Sequence, residues 1–214
     1  MLEAVCLTCR TVAGEARLRI LHALAAQDEL PGKDIARRAG LTPPGASKHM
    51  ARLVGARLAS ARRSGAYVYY RLATESGNGF GQAVGQLIAR ACRDPQWATA
   101  QWLERRLLHV SNETLSRVGP RAARVLDIIF DAATAFGNVR RLQILRLLSR
   151  RSPCEVGRIR QALRMSLWAC ERHVDKLARR GYLRRIAPGH WALTSQSRTP
   201  IHEALLAAVM GVLP

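Results

Sequence analysis

The chain has 214 residues, 48% of them apolar, which is enough for a packed core and too many for a disordered chain. Its 34 lysines and arginines stand against 15 carboxylates, for a formal net charge of +19. A surplus of that size points to a polyanionic partner, nucleic acid before anionic membrane.

In chain order, Leu2 to Val12 shows a helical apolar stripe that includes Cys6 and Cys9. Glu15 to Ala26 follows with Leu18, Leu21 and Leu24 on one face. Lys33 to Ala39 predicts a short helix, Gly40-Leu41 a tight turn, and Thr42-Pro43 the capped start of a further helix that turns Met50 and Leu53 inward. Short helix, glycine turn and second helix make a helix-turn-helix, whose second helix can enter a major groove. Two extended runs, Leu58–Arg63 and Ala66–Leu72, flank Ser64-Gly65 and predict a hairpin with arginines at its tip. Gly79 to Ala91 predicts a last helix, with Cys92 at its end.

Shifted by 124 residues, the sequence superposes on itself. Arg17-Leu18-x-Ile20-Leu21-x-x-Leu24 falls on Arg141-Leu142-x-Ile144-Leu145-x-x-Leu148, and Ile35, His49 and Leu53 fall on Ile159, His173 and Leu177. Past the hairpin a shift of 121 pairs Leu72 with Leu193 and Ile88 with Val209. The expected architecture is mainly α with small β-hairpin wings: two tandem winged helix-turn-helix domains, 1–93 and 126–214, joined by a helical connector, 94–125. In the connector Asp94-Pro95 starts a helix, Trp97, Leu103, Leu107 and Val110 recur at helical spacing, and Gly119-Pro120 ends it.

Arg17-Leu18-Arg19-Ile20-Leu21, Ser47-Lys48-His49-Met50, Leu53-x-x-Ala56-x-Leu58 and Arg62-Arg63-x-Gly65-x-x-Val68-Tyr69-Tyr70-Arg71-Leu72 together resemble the ArsR/SmtB winged-helix repressors. The resemblance covers the first copy and, more weakly, the second. It implies a transcription regulator that binds operator duplex DNA and often releases it on sensing a metal, a metalloid or a thiol-reactive signal. It also implies dimerisation through the first and last helices, which a tandem copy would build within one chain. On this reading Thr42, Pro44, Gly45, Ser47 and Lys48 lie on the recognition turns, while Arg52, Arg62 and Arg63 are placed for phosphates. His49, at the family's usual histidine position, is expected to pack and hydrogen-bond.

The second copy departs from the pattern. Leu167 and Trp168 stand where the first copy has a proline pair, Glu171 replaces Ser47 and Asp175 replaces Ala51, although Arg172 and Lys176 keep the helix basic. Arg172 and Lys176 are therefore further DNA contacts of the expected site. The family's Cys-x-Cys metal site is missing: its positions hold Pro31 and Lys33 in one copy, and Glu155 and Gly157 in the other, with Cys154 just outside. His202-Glu203 is an incomplete set for a second family site. A different thiolate site, Cys6, Cys9 and Cys92, would take a soft metal or As(III) if the first and last helices bring the three together; the competing reading makes them small core residues.

Enzyme readings fail on the residues. Gly77-Asn78-Gly79-Phe80-Gly81 continues with Gln82 where a dinucleotide loop needs glycine, and His202-Glu203-Ala204 has no second zinc-binding histidine. No apolar run reaches the roughly 18 residues of a membrane span, and Met1 to Val5 lacks the basic start of a secretion signal, so a cytoplasmic chain is expected. The alternative to a DNA-binding regulator is a winged-helix module that binds protein or structured RNA.

Overall fold

A computed structural model describes residues 1–74, 79–99, 109–194 and 198–213. The first half runs α1 (Leu2–Val12), α2 (Glu15–Ala25), β1 (Leu30–Pro31), α3 (Gly32–Ala39), α4 (Pro43–Gly55), β2 (Ala59–Ser64), β3 (Tyr67–Leu72) and α5 (Phe80–Arg93). Next come α6 (Pro95–Thr99) and α7 (Asn112–Phe136). The remainder runs α8 (Val139–Arg150), β4 (Cys154–Glu155), α9 (Val156–Ala162), α10 (Leu167–Arg179), β5 (Leu183–Ala187), β6 (His190–Leu193) and α11 (Pro200–Gly211). The molecule is mainly helical, with two small antiparallel sheets ordered β1-β3-β2 and β4-β6-β5.

The third strand of each sheet is an addition to the expected hairpins. Leu30 pairs with Tyr70, and Cys154 with Trp191, so the segment before each short helix is stitched to the hairpin. In the first hairpin Ser64 pairs with Tyr67, which makes Gly65-Ala66 the turn rather than Ser64-Gly65. Gly65 takes a φ of +58°, a conformation that glycine adopts without strain. The second hairpin is shorter, with a register shift between Arg185 and Ala187.

The connector differs in part from its expectation. Asp94 does cap α6, its Oδ1 accepting from Trp97 N at 3.0 Å. Trp97 is half-buried beneath the Arg90 guanidinium, 3.9 Å from the ring centre. Leu103 and Leu107 lie outside the described residues, as does the Gly77-Asn78 pair. Gly119-Pro120 does break the helix: Gly119, with φ 79° and ψ 164°, is not helical, so α7 is two helices joined at a kink, and residue 126 lies in the second of them. The helix ahead of the kink is bolted to the first half. The Ser111 backbone N–H and hydroxyl donate to Glu15 at 2.7 and 2.5 Å, Thr114 also donates to Glu15, and Arg19 donates to Thr114 at 3.1 Å.

One continuous core spans both halves, because the terminal helices cross between them. The α1 helix packs on α7 and α8, the α7 helix on α2, and α5 on α11. Within each half the first and last helices meet, α1 with α5 and α7 with α11. Gly81 and Gly85, one turn apart on α5, permit another close approach. A Cβ on Gly81 would fall 2.4 Å from the Ala56 carbonyl oxygen, and one on Gly85 would fall 2.8 Å from that of Ala73. These glycines let a helix lie against backbone, which accounts for part of the glycine-rich stretch without any nucleotide.

Candidate nucleic-acid interface

Local rules set the first helix-turn-helix. Gly40 ends α3 in the left-handed region, φ 62°, and Thr42 caps α4 by accepting from Gly45 N at 3.3 Å. Pro43 opens the helix, where its missing N–H costs nothing. Ala46, Met50 and Leu53 then face the core, and Thr42, Pro44, Ser47, Lys48 and Arg52 are left exposed on one outward side. Gly45, expected among the contacts, has a different task. It is half-buried, and a Cβ there would sit 3.0 Å from the Thr42 hydroxyl, crowding the cap.

Behind this face His49 is half-buried, and its Nδ1 has no hydrogen-bond partner among the described residues. Burial, then the charges of Arg17, Arg52 and Lys48, hold the imidazole below its ordinary range. The group is neutral inside a cluster of cations, a setting that an arriving phosphate would complete electrostatically. His173 has the same character in the second half, lowered by burial and by Arg141 and Arg172.

The hairpin beside α4 places its two arginines differently. Arg63 is exposed near the tip. Arg62, expected to meet a phosphate, is instead forked onto Glu29 at 2.8 and 2.5 Å and lies 5.0 Å over the Tyr69 ring. Its guanidinium is raised above its ordinary pKa, first by the hydrogen bonds and then by the charge of Glu29. The reason is β1: pairing Leu30 with Tyr70 brings Glu29 alongside the hairpin.

In the second half Ser166 caps α10 as Thr42 caps α4, accepting from Ala169 N at 3.2 Å. Leu167 and Trp168 stand outward, 46% and 69% exposed. Of the expected contacts here, Arg172 is exposed with its guanidinium 4.7 Å over the Trp168 ring, while Lys176 is half-buried. Burial, then Arg141 and Arg179, lower the Lys176 pKa. Glu171, Asp175, Arg184 and Arg185 are exposed.

The thiolate expectation is corrected. Cys6 and Cys9 are buried in α1 and Cys92 is half-buried in α5, and among the described residues no group of three His, Cys, Asp or Glu side chains is placed to hold a metal ion. Burial pushes the Cys9 thiol far above its ordinary range and the Cys92 thiol to about 12, so both are held as neutral thiols. The cysteine stripe is core packing.

Sequence reasoning missed a buried polar cluster in the second half. Asp131, 3% exposed, forms an ion pair with Arg180 and lies 2.9 Å from His109 Nε2, 3.3 Å from His202 Nε2 and 3.9 Å from Arg198. Thr199 Oγ lies 2.9 Å from Nδ1 of the fully buried His202. His202 was therefore half-recognised, as one member of an incomplete metal set; the structure gives it to this cluster and leaves Glu203 exposed. Charged residues at 131, 180 and 202 in an otherwise apolar register were the only sequence signal.

Residues 14–66 match the model of the MarR family. The match begins just before α2 and ends in the hairpin turn, so it takes in the whole of the helix-turn-helix described above. No curated protein matches the chain. The first helix-turn-helix is thus similar to the winged helix of the MarR family, whose members are DNA-binding transcription regulators. Among the described residues no helix is long and apolar enough to cross a membrane.

Proposed function

We propose that the chain is a transcription regulator, acting as a repressor, that binds operator duplex DNA through α4 and the β2–β3 wing, with the second half serving as a built-in dimer partner. The observation that carries this reading is the outward side of α4. Ser47, Lys48 and Arg52 lie exposed beside the Arg63 wing, in the segment that matches a winged-helix regulator family. In this reading the chain is a tandem duplication, with domains 1–93 and 126–214 and connector 94–125. Three correspondences at an offset of 124 support it. Thr42 and Ser166 cap equivalent helices, Gly40 and Arg164 take φ 62° and 48°, and Arg57 and Gly181 take φ 55° and 77°. The ArsR/SmtB resemblance and the MarR match share the same docking geometry, so the proposal does not depend on choosing between them.

The test is duplex binding as a function of salt. Each phosphate neutralised contributes roughly 0.9 to the slope of log affinity against log salt. A Lys48→Ala/Arg52→Ala variant is expected to bind weakly and with a shallower slope, and Arg63→Ala to weaken all sequences alike. Ser47→Ala is expected to relax base preference by about 1–3 kcal/mol per lost base contact. Tighter binding to structured RNA than to any duplex, unaffected by these changes, would overturn the proposal.

A further inference from the structure

We propose that α10 is a second, unlike reader of the same duplex, one that recognises thymine methyl groups through Leu167 and Trp168, so that the operator has two different half-sites in a fixed order. This rests on the function proposed above and extends it to the half of the chain whose recognition helix looks least suited to DNA.

The first argument is placement. Several contacts between the halves exchange under a swap: α1 with α7, α5 with α11, and α1 on α8 as α7 on α2. An interface in which each partner uses the same patch has a two-fold relation, here an internal one. In helix-turn-helix dimers that relation presents two recognition helices to successive major grooves, with half-sites about 10 bp apart. The α10 helix is thereby turned toward the groove next to the one α4 would occupy.

The second argument is chemistry. Leu167 and Trp168 at the start of α10, and Ile186 on the wing, 42% exposed, are among the few large apolar side chains left in water among the described residues. Exposed cations lie close to them in the chain: Arg164 and Arg172 on either side of the α10 pair, and Arg184 and Arg185 just before Ile186. An apolar protein face would leave those guanidinium groups without partners, whereas a major groove offers both phosphates for them and methyl groups for the apolar side chains. Apolar contact with the thymine methyl is one of the standard modes of major-groove reading. The position of Arg172 over the indole at 4.7 Å fixes the ring's attitude, and exposed Glu171, unsuited to a phosphate, can accept from a cytosine amino group.

The test uses the full chain, duplexes selected from a random pool, and footprinting. The expected result is protection over two dissimilar half-sites centred about 10 bp apart, with thymines in the one covered by α10. Replacing those thymines by deoxyuridine removes only the methyl groups and should weaken binding about 3- to 5-fold for each contacted methyl. Trp168→Ala, at an exposed position that folding does not need, should bind the thymine and deoxyuridine duplexes equally while keeping its preference in the first half-site. Protection confined to one half-site, or undiminished methyl discrimination in the Trp168→Ala variant, overturns the inference and leaves the proposed function standing. No duplex binding at all overturns both.

Discussion

Arg17 and Arg141, 124 residues apart, make the same two hydrogen bonds. Arg17 donates from Nε to the Thr11 carbonyl and from Nη2 to that of Arg10 at 3.1 Å; Arg141 donates from Nε to Ala135 and from Nη2 to Thr134 at 2.9 Å. Each guanidinium closes the corner between the end of one helix and the start of the next, and each stands beside the histidine of the neighbouring recognition helix. Charge-assisted bonds to carbonyls are worth about 1.5–3 kcal/mol. Arg17→Ala and Arg141→Ala should each lower stability to urea by about that amount, and by similar amounts. Lysine should restore only part of the loss, because it lacks the planar fork. A large inequality between the two would show that the corners are not equivalent in energy.

Glu29 occupies the Arg62 guanidinium and, under the proposed function, competes with a phosphate for it. Glu29→Gln should release the guanidinium, tighten duplex binding and steepen the salt slope by about 0.9. In the Glu29→Gln background Arg62→Ala should reverse the gain, whereas in the wild type it should change affinity little. Titrations by fluorescence anisotropy at several salt concentrations would measure both.

Asp131 forms an ion pair with the largely buried Arg180. Removing one partner of a buried pair costs about 3–5 kcal/mol, because the other charge is stranded. Asp131→Leu should fall in that range by denaturant unfolding. The corresponding first-half positions hold Leu7 and Ala56, so the Asp131→Leu/Arg180→Ala double variant should recover much of the loss. A double variant no better than the sum of the singles would mean the pair is not coupled.

His202 makes stability depend on pH. Burial and the nearby charges of Arg198 and Arg180 pull its pKa down to about 3, against an ordinary 6.5, so the folded chain holds it neutral. Below pH 6.5 the unfolded chain takes up a proton that the folded chain does not. Stability should therefore fall as pH drops from 6.5 toward 3, by up to about 1.4 kcal/mol per pH unit. Unfolding midpoints at pH 7, 6 and 5 should show this decline, with a shallower one in His202→Gln.

The elements built on apolar period were legible in the sequence. The bounds of α1 match the expected stripe, and α2 and α4 fall within a residue or so of theirs, because a helix that buries one face writes that face into its spacing. The self-similarity at an offset of 124 rests on the same apolar spacing. Strand β1 was not, since two residues have no period and pair only because the hairpin stands next to them. The Arg62–Glu29 fork depends on that strand and was hidden with it. The polar cluster around Asp131 draws on the segments near 109, 131, 180 and 200, which only the fold brings together. The cysteines misled because a thiol on an apolar stripe reads equally well as ligand or as filler, and only burial decides.

The lean of α1 onto the second half has a consequence for how the molecule comes apart. Arg10 reaches across to the Gly137 carbonyl at 2.7 Å, and Cys9 lies beside the fully buried Tyr182. One side of α1 is thus covered by residues of the second half. Neither half keeps a complete interior when the other opens, so unfolding is expected to proceed as a single cooperative step. A fault anywhere in the core then lowers the population of folded α4 and folded α10 by the same factor.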